Sequence, residues 1–343
     1  MKRGWSAAVA ALAALAVGIG VADGLDSGST PGVAFVTGRA SSAPAVWLAN
    51  VDGSDAHLLG GGSQPLLAPN GSVVAASTAR GFVLYSTSGG GPHRYFEGRD
   101  ATAVAVAFSH DSRYVAVVLS STDPASVAGS GLAVIDITRF SYRIIAHGQM
   151  YGASFAPNDS DRLAYASARS SALSASVDIH VVGANGVGAA QITSDGRSLN
   201  PVWGPDGIAF DHERVRRNAE PAYQVWLMAS DGTARRPVTA LAIPPLREGL
   251  VPISFSGDGH RLLAEYEGLD TNQAWLLTLP GGHATPLGAD LTGAALSRDG
   301  TSALVDRGGF PNSDSAGVVE SLPLAGGQPR ALAAHASEPS WDA

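Results

Sequence analysis

The stretch Trp203-Gly204-Pro205-Asp206-Gly207 decides the fold, because segments of this kind recur along the chain. Each copy has a large apolar residue, then a short turn, then an Asp or Asn three residues after the apolar one. The other copies begin at Leu67, Phe108, Phe155, Phe255 and Leu296, and successive copies are spaced by 41, 47, 48, 52 and 41 residues. Propeller repeats run to roughly 40–45 residues, so this period predicts a β-propeller.

The residues between the turns predict four strands in each repeat. Every turn is followed by a short apolar run, such as Ile208-Ala209-Phe210, and runs this short between turn residues are typical of strands. A later run, Val225-Trp226-Leu227-Met228, ends at Asp231-Gly232, a dipeptide that supplies the positive φ angles of a tight hairpin. A weaker strand with Pro237 follows, which fits a sheet edge because proline cannot donate to an interior ladder. The prediction is an all-β chain whose four-stranded sheets pack radially.

The two chain ends predict one further blade. Three strands between Gly32 and Leu59 have no first strand before them, whereas the terminal Glu338-Pro339-Ser340-Trp341 is similar to the first-strand segment Asn200-Pro201-Val202-Trp203. Trp341 lies 45 residues after Leu296, in step with the repeat. We therefore predict a seven-bladed propeller whose ring is closed by the C-terminal strand completing the N-terminal blade. Six blades are the alternative.

Composition narrows the function classes. Hydrophobic residues make up 45% of the chain and charged residues 15%, which excludes a disordered protein and leaves material for a large core. The formal charge of -8 argues against a general nucleic-acid footprint. With no cysteine, the chain cannot form disulfides, a thiolate zinc site or a cysteine nucleophile.

The N-terminus predicts export. Lys2 and Arg3 precede a run of fifteen apolar residues, 7–21, and Gly20-Val21-Ala22 supplies the small residues of a cleavage site. We predict a signal peptide over residues 1–22, a short linker over 23–31 and the propeller over 32–343. The alternative is a retained anchor, but the run is shorter than the roughly 20 residues that a membrane span needs. The expected location is secreted or extracytoplasmic, in the periplasm or cell envelope.

The repeats resemble the WD40-like repeats of the TolB propeller family. The resemblance is carried by Trp203-Gly204-Pro205-Asp206-Gly207 and by Trp226-Leu227-Met228-Ala229-Ser230-Asp231-Gly232, and it extends over nearly all of the chain after the signal. It implies a propeller like those of bacterial periplasmic partner-binding proteins and of some serine peptidases. TolB carries a small α/β domain before a six-bladed propeller, whereas about ten residues separate Ala22 from the first strand here. The resemblance therefore implies architecture rather than TolB's own partners.

Linear motifs predict no catalytic residue, no metal ligand and no cofactor. The chain contains no Gly-x-Ser-x-Gly elbow. His212-Glu213-Arg214-Val215-Arg216 begins like a zinc-protease helix, but Arg216 stands where the second histidine ligand is required. Asn158-Asp159-Ser160-Asp161 has the alternating oxygens of a calcium loop without its later glycine and glutamate, and it occupies the repeated turn.

Loop lengths give the one spatial indication of a binding site. The connections between second and third strands, and between successive blades, are the long ones and belong to one face of the ring. The segment from Asp211 to Tyr223 concentrates charge in a charge-poor protein, and a solvated loop is the simpler interpretation of it. The low-ranked binding candidates are His212, Glu213, Arg214, Arg216 and Arg217, since arginines hold carboxylates or phosphates in forked pairs.

The leading hypothesis is a non-enzymatic scaffold, expected to be a monomer, that binds a protein or small ligand through this long-loop face. Neither a nucleic-acid partner nor a membrane span after signal cleavage is expected. The alternative is a hydrolase or lactonase-like enzyme with a site in the central channel, because propellers assemble sites from several blades that linear motifs do not reveal. A purely structural envelope protein is a third possibility.

Overall fold

The computed structural model describes residues 32–39, 43–123, 126, 128–168, 176–214, 222–238, 247–268, 272–308 and 317–341. Throughout these ranges the regular structure is β-strand, as predicted. The signal peptide and linker predicted over residues 1–31 lie outside them. No helix in the described ranges has the length and apolar character that a membrane crossing requires.

The strands are short and follow one another at regular intervals. They are β1 Gly32–Thr37, β2 Ala45–Asn50, β3 His57–Gly61, β4 Ser63–Leu67, β5 Val73–Thr78, β6 Gly81–Ser86, β7 His93–Tyr95, β8 Ala101–Phe108, β9 Tyr114–Ser121, β10 Gly131–Asp136, β11 Ser141–His147, β12 Gln149–Ala156, β13 Asp159–Ala168, β14 Asp178–Gly183, β15 Ala190–Gln191, β16 Ser198–Gly204, β17 Gly207–Arg214, β18 Ala222–Met228, β19 Arg236–Pro237, β20 Arg247–Phe255, β21 Arg261–Gly268, β22 Asn272–Thr278, β23 His283–Ala289, β24 Leu291–Leu296, β25 Ser302–Arg307, β26 Val318–Pro323, β27 Arg330–Ala334 and β28 Ala336–Trp341.

These strands form six hydrogen-bonded sheets, which we number I to VI. Sheet I has the order β28-β1-β2-β3, and sheets II, III and IV are the four-stranded meanders β4–β7, β8–β11 and β12–β15. Sheet V has eight strands, β16–β23, and sheet VI is the meander β24–β27. The two halves of sheet V, β16–β19 and β20–β23, join through a single parallel bridge between Tyr223 and Gly249. The result is an all-β, propeller-like arrangement.

The recurrent aspartates belong to the turns, as predicted. In the turn before β21, Asp258 Oδ1 accepts hydrogen bonds from Ser256 Oγ at 2.6 Å and from the His260 backbone N–H at 2.9 Å. Asp299 makes the same pair of contacts with Ser297 Oγ and the Thr301 N–H. Short polar side chains thus satisfy backbone donors inside the turn itself, which is why these residue types recur there.

The core lies between sheets, because each sheet covers the face of its neighbour. Strand β10 is buried along its whole length, as expected for a strand covered on both faces. Between sheets IV and V, for example, Ala164 and Ile179 of one sheet pack with Phe210 and Met228 of the other. This mutual burial is the main stabilising term for strands too short to fold alone.

Buried serines repeat at one position of the first strand and link consecutive sheets. Ser154 Oγ accepts the backbone N–H of Trp203 at 3.0 Å, which joins sheet IV to sheet V. Ser254 and Ser340 make the same contact with the N–H groups of Leu296 and Leu67, at 2.8 and 3.0 Å. All three serines have no exposed surface, so each bond satisfies a donor that water cannot reach.

The terminal strand β28 pairs antiparallel with β1, with Val33 opposite Trp341. Glu338 of β28 contacts residues of three sheets. Its carboxylate accepts the Gln64 backbone N–H of sheet II at 2.6 Å and forms an ion pair with Arg39 Nε of sheet I at 3.0 Å. Its own N–H donates to Asp306 Oδ2 of sheet VI at 3.3 Å. We call these four residues the Glu338 seam.

Candidate functional site

The predicted binding candidates begin on a strand rather than in a loop. We expected a loop from Asp211 to Tyr223, but β17 runs on to Arg214 and β18 begins at Ala222. Glu213 lies opposite Tyr223 in this ladder, and Arg214 lies opposite Ala222. The charged residues suggested a loop, but Asp211 is buried and His212 packs into the seam between two sheets, so the strand continues through them. Arg216 and Arg217 lie outside the described residues.

His212 packs into the seam between sheets IV and V. Its side chain is 17% exposed, and its ring stacks on Trp226 with 4.6 Å between ring centroids. Its Nε2 lies 3.6 Å from Asp195 Oδ2. Burial lowers the pKa of His212 below its ordinary value of 6.5, although the Asp195 carboxylate acts in the opposite direction. The imidazole is therefore held in its neutral form at lower pH than a solvated histidine.

Asp195 lies on the connection between β15 and β16, and its carboxylate contacts several neighbouring residues. Its Oδ1 accepts the Arg197 backbone N–H at 3.0 Å and the Ser198 hydroxyl at 2.9 Å. Its Oδ2 pairs with Arg235 Nη1 at 3.3 Å. We call Asp195, Ser198, His212, Trp226 and Arg235 the Asp195 seam. It fixes the connection leaving sheet IV against the second strand of the next unit and the turn that precedes its fourth strand.

The order of contacts in this seam is not that of a nucleophilic triad. The carboxylate of Asp195 stands between Ser198 and His212, whereas nucleophile activation needs the imidazole in the middle. His212 Nδ1 and Trp226 Nε1 are buried and have no hydrogen-bond partner among the described residues. The arrangement can hold a neutral imidazole and can respond to protonation of that ring.

A row of buried acids was missed by the sequence reasoning. Asp211, Glu265 and Asp306 occupy the same position on the second strands β17, β21 and β25, and each is less than 7% exposed. Each follows an apolar run, as in Leu304-Val305-Asp306, and that pattern was the available signal. Asp306 indicates what such an acid does, because its Oδ2 accepts the N–H of Glu338 on the next unit's first strand.

Other predicted features fall largely outside the structure's described ranges. The long connections expected to form the binding face include residues 124–125, 169–175, 215–221, 239–246 and 309–316, none of which is described. All of these leave the same end of the strands, opposite to the short turns. Within the described residues, no three His, Asp or Glu side chains are grouped so that they would hold a metal ion.

Comparison with known proteins gives likenesses of structure. No protein-family model and no curated protein matches the chain. The β-propeller domain of the Trilobed protease from Pyrococcus furiosus superposes with a TM-score of 0.63 at 10% identity, over 93% of this chain and 96% of that one. An oligogalacturonate lyase in complex with manganese gives a TM-score of 0.57 at 16% identity, over 79% and 76%.

TolB from Acinetobacter baumannii gives a TM-score of 0.53 at 13% identity, over 91% of this chain and 66% of TolB. At such identities the likeness concerns the fold alone. Together with the all-β sheets, it identifies a TolB-like propeller fold.

Proposed function

We propose that the chain is an exported, TolB-like propeller of seven blades that binds a protein or small ligand as a non-enzymatic, monomeric scaffold. The ligand is received on the face that carries the second-to-third strand connections and the links between blades. Export is supported by the signal-like residues 1–22. The extracytoplasmic location follows from that export.

Two features of the sheets support seven blades in a closed ring. Sheet V divides into two four-stranded halves at its single parallel bridge, so each half has the strand content of one blade. The β28–β1 ladder unites the two chain ends in one sheet, and Glu338 adds contacts to the sheets on either side. Closure of this kind joins the first and last units of the ring within one sheet.

The observation that carries the binding function is the rigid ladder beneath the 215–221 connection. Strands β17 and β18 stay paired out to Arg214 and Ala222, and the Asp195 seam packs beside their ends through His212. Side chains on this ladder, such as Glu213, are held in place before a ligand arrives, so they lose little entropy on binding. Loops on a rigid scaffold are where propellers and other folds place their ligands.

Site-specific photo-crosslinking tests the face. A benzoylphenylalanine is introduced at Glu213, on the proposed face, and in a matched variant at exposed Gln328, on the short turn between β26 and β27 at the opposite end of the strands. We expect a discrete crosslinked partner in envelope extract from the Glu213 probe and none from the Gln328 probe. The Arg216→Ala, Arg217→Ala double variant should weaken that crosslink. Crosslinks from Gln328 alone would overturn the face assignment.

A channel enzyme is the second candidate, and it would use the buried acids on β17, β21 and β25, although no three described acids or histidines are grouped as a metal site. Carboxylates suit hard divalent cations, and one structural neighbour is a lyase in complex with manganese. Titration of the full chain with Mn²⁺ by calorimetry discriminates the two candidates. Stoichiometric binding that is lost in Glu265→Gln would favour the enzyme. If Mn²⁺ added to the parent chain gives heat changes no larger than those of the Glu265→Gln variant, the scaffold is favoured.

A further inference from the structure

A second surface lies away from the proposed ligand face, on the outer strand of sheet III. Five large hydrophobic residues are more than 40% exposed in the described part of the chain, and three of them are Phe140 at 50%, Tyr142 at 44% and Val187 at 69%. Tyr142 lines a cleft of about 180 Å³, and Phe140 lies in the chain between two other residues that line it, Arg139 and Ser141. Val187 belongs to the turn after β14, whose residues Ala184 and Asn185 line the opposite wall. Clustered exposed apolar side chains mark an interaction site more often than scattered ones do.

The aromatic side of this surface is well ordered by packing. The Phe140 ring stacks on His93 at a centroid distance of 3.7 Å. Tyr142 meets Phe96 edge to face at 4.7 Å, and its hydroxyl accepts a hydrogen bond from Arg99 Nη2 at 3.2 Å. Rigid aromatic groups that remain half exposed offer contact area at little entropic cost.

The charge in the cleft is positive, although the whole chain is negative. The cleft contains one carboxylate, Asp136, and its pKa is lowered, against the effect of burial, by hydrogen bonds from Thr138 and Arg113. Arg113 Nη2 lies 3.2 Å from its Oδ2. The Arg139 side chain is 73% exposed and its Nε lies 3.9 Å from Asp136 Oδ2, while exposed Arg143 donates to the Asn185 carbonyl. Both guanidinium groups keep N–H donors beyond these contacts, so the cleft complements a carboxylate.

The backbone beside the cleft is a strand edge. Strand β11 is the last strand of sheet III and pairs, among the described strands, with β10 alone. Its seven residues, 141–147, make it one of the longest outer strands in the molecule, whereas β15 and β19 have two residues each. A long outer edge presents alternate N–H and C=O groups that can pair with an extended chain.

We propose that this surface, the β11 patch (Arg139, Phe140, Tyr142, Arg143 and Val187), binds an extended acidic peptide segment of a partner protein. The peptide backbone pairs with the outer edge of β11. One carboxylate side chain of the peptide enters the cleft between Arg139 and Arg143, and an apolar side chain packs on Phe140 and Tyr142. The site is independent of the long-loop face, since it is built on a short-turn end and an outer strand.

The test uses the full chain and a labelled nonapeptide of alternating Val and Glu, with binding followed by fluorescence anisotropy. We expect saturable binding that falls roughly tenfold or more in the Arg139→Ala, Arg143→Ala double variant, because two charge-assisted contacts are lost. Arg236→Ala, on the exposed edge strand β19, is the matched control and should bind as the parent does. A nonapeptide in which Gln replaces every Glu, the Val–Gln peptide, should also bind roughly tenfold more weakly than the Val–Glu peptide.

A second peptide tests the strand pairing. The same Val–Glu peptide, N-methylated at alternate residues, keeps its charges but cannot complete the ladder, so it should bind much more weakly. Equal binding of this peptide, or of the Val–Gln peptide, overturns the proposal. So does a dimer in analytical ultracentrifugation that the double variant abolishes, because the patch would then be covered by a second copy of the chain.

Discussion

The Glu338 seam and the Asp195 seam both join neighbouring sheets, and they differ in how completely their carboxylates are paired. Glu338 is 7% exposed, and both of its carboxylate oxygens have partners in other strands. Asp195 is 31% exposed and shares its charge with Arg235 and with His212, whose Nδ1 has no partner among the described residues. A fully paired buried charge fixes one geometry, whereas a half-exposed cluster containing a titratable ring can change with conditions.

The largest effect is expected from shortening β28 directly after Glu338, which leaves the Glu338 seam without the end of its strand. Deleting residues 339–343 takes away Trp341, which is 4% exposed, and the Ser340 hydroxyl that accepts the Leu67 N–H. Loss of a buried tryptophan alone costs about 3–5 kcal/mol, so the melting temperature should fall sharply. Thermal unfolding followed by circular dichroism measures it. Deletion of residues 342–343 alone is the control, and an unchanged melting temperature in the longer deletion would contradict ring closure by β28.

Single substitutions then compare the two seams directly. Glu338→Ala leaves the Gln64 N–H without its acceptor and removes the ion pair with Arg39, and losing charge-assisted bonds to a carboxylate that is only 7% exposed costs about 2–3 kcal/mol. Asp195→Ala should cost only about 1 kcal/mol, because the Asp195 carboxylate is itself 31% exposed and water screens its ion pairs. Urea unfolding of both variants gives the two free energies. Equal losses of unfolding free energy in the two variants would mean that the exposure of the carboxylate does not determine how much each seam stabilises the fold.

The periodic part of this structure was predictable, because turns and strand patterns are local. The six turn segments located the first-to-second strand turns, and the three strands expected between Gly32 and Leu59 are β1, β2 and β3. The similarity of the Trp341 segment to the Trp203 segment also pointed to the β28–β1 pairing. A strand's partner could be inferred here because each repeat has the same order.

The contacts between sheets were not predictable, because they join residues far apart in the chain. Glu338 and Gln64 are 274 residues apart, and nothing in either local sequence indicates the other. His212 and Glu213 were interpreted as part of a solvated loop because they are polar. The structure extends the strand through them, since Trp226 provides a stacking surface for the imidazole. The β11 patch depends on which sheet faces are left uncovered, which a single sequence does not specify.

Titration of His212 should make the Asp195 seam the pH-dependent one. Because the pKa of His212 is lowered in the folded state, the unfolded chain binds a proton first as the pH falls through about 6.5. The contribution of the neutral His212 ring to stability is complete above about pH 6.5, and it is lost as the pH falls towards the lower pKa of the folded state. We expect the melting temperature of the parent to fall more between about pH 7 and pH 5 than that of His212→Gln. His57→Gln, at an exposed position on β3, should keep the parent slope.

The smallest effect is expected at a turn, where the polar contacts do not join sheets. Asp258→Ala removes bonds to Ser256 and to the His260 N–H, all within one turn, and should cost about 0.5 kcal/mol at neutral pH after solvent screening. The Ser256 bond lowers the pKa of Asp258 below its usual 3.8, so its contribution persists above that pH and disappears as the carboxylate protonates in stronger acid. Calorimetry of parent and variant at about pH 7 and about pH 3 measures the difference. Narrowing of the gap between the two proteins at the lower pH, well below the window in which His212 acts, would separate local turn chemistry from the seams. A gap of unchanged size would mean that Asp258 stabilises the fold through something other than its charge.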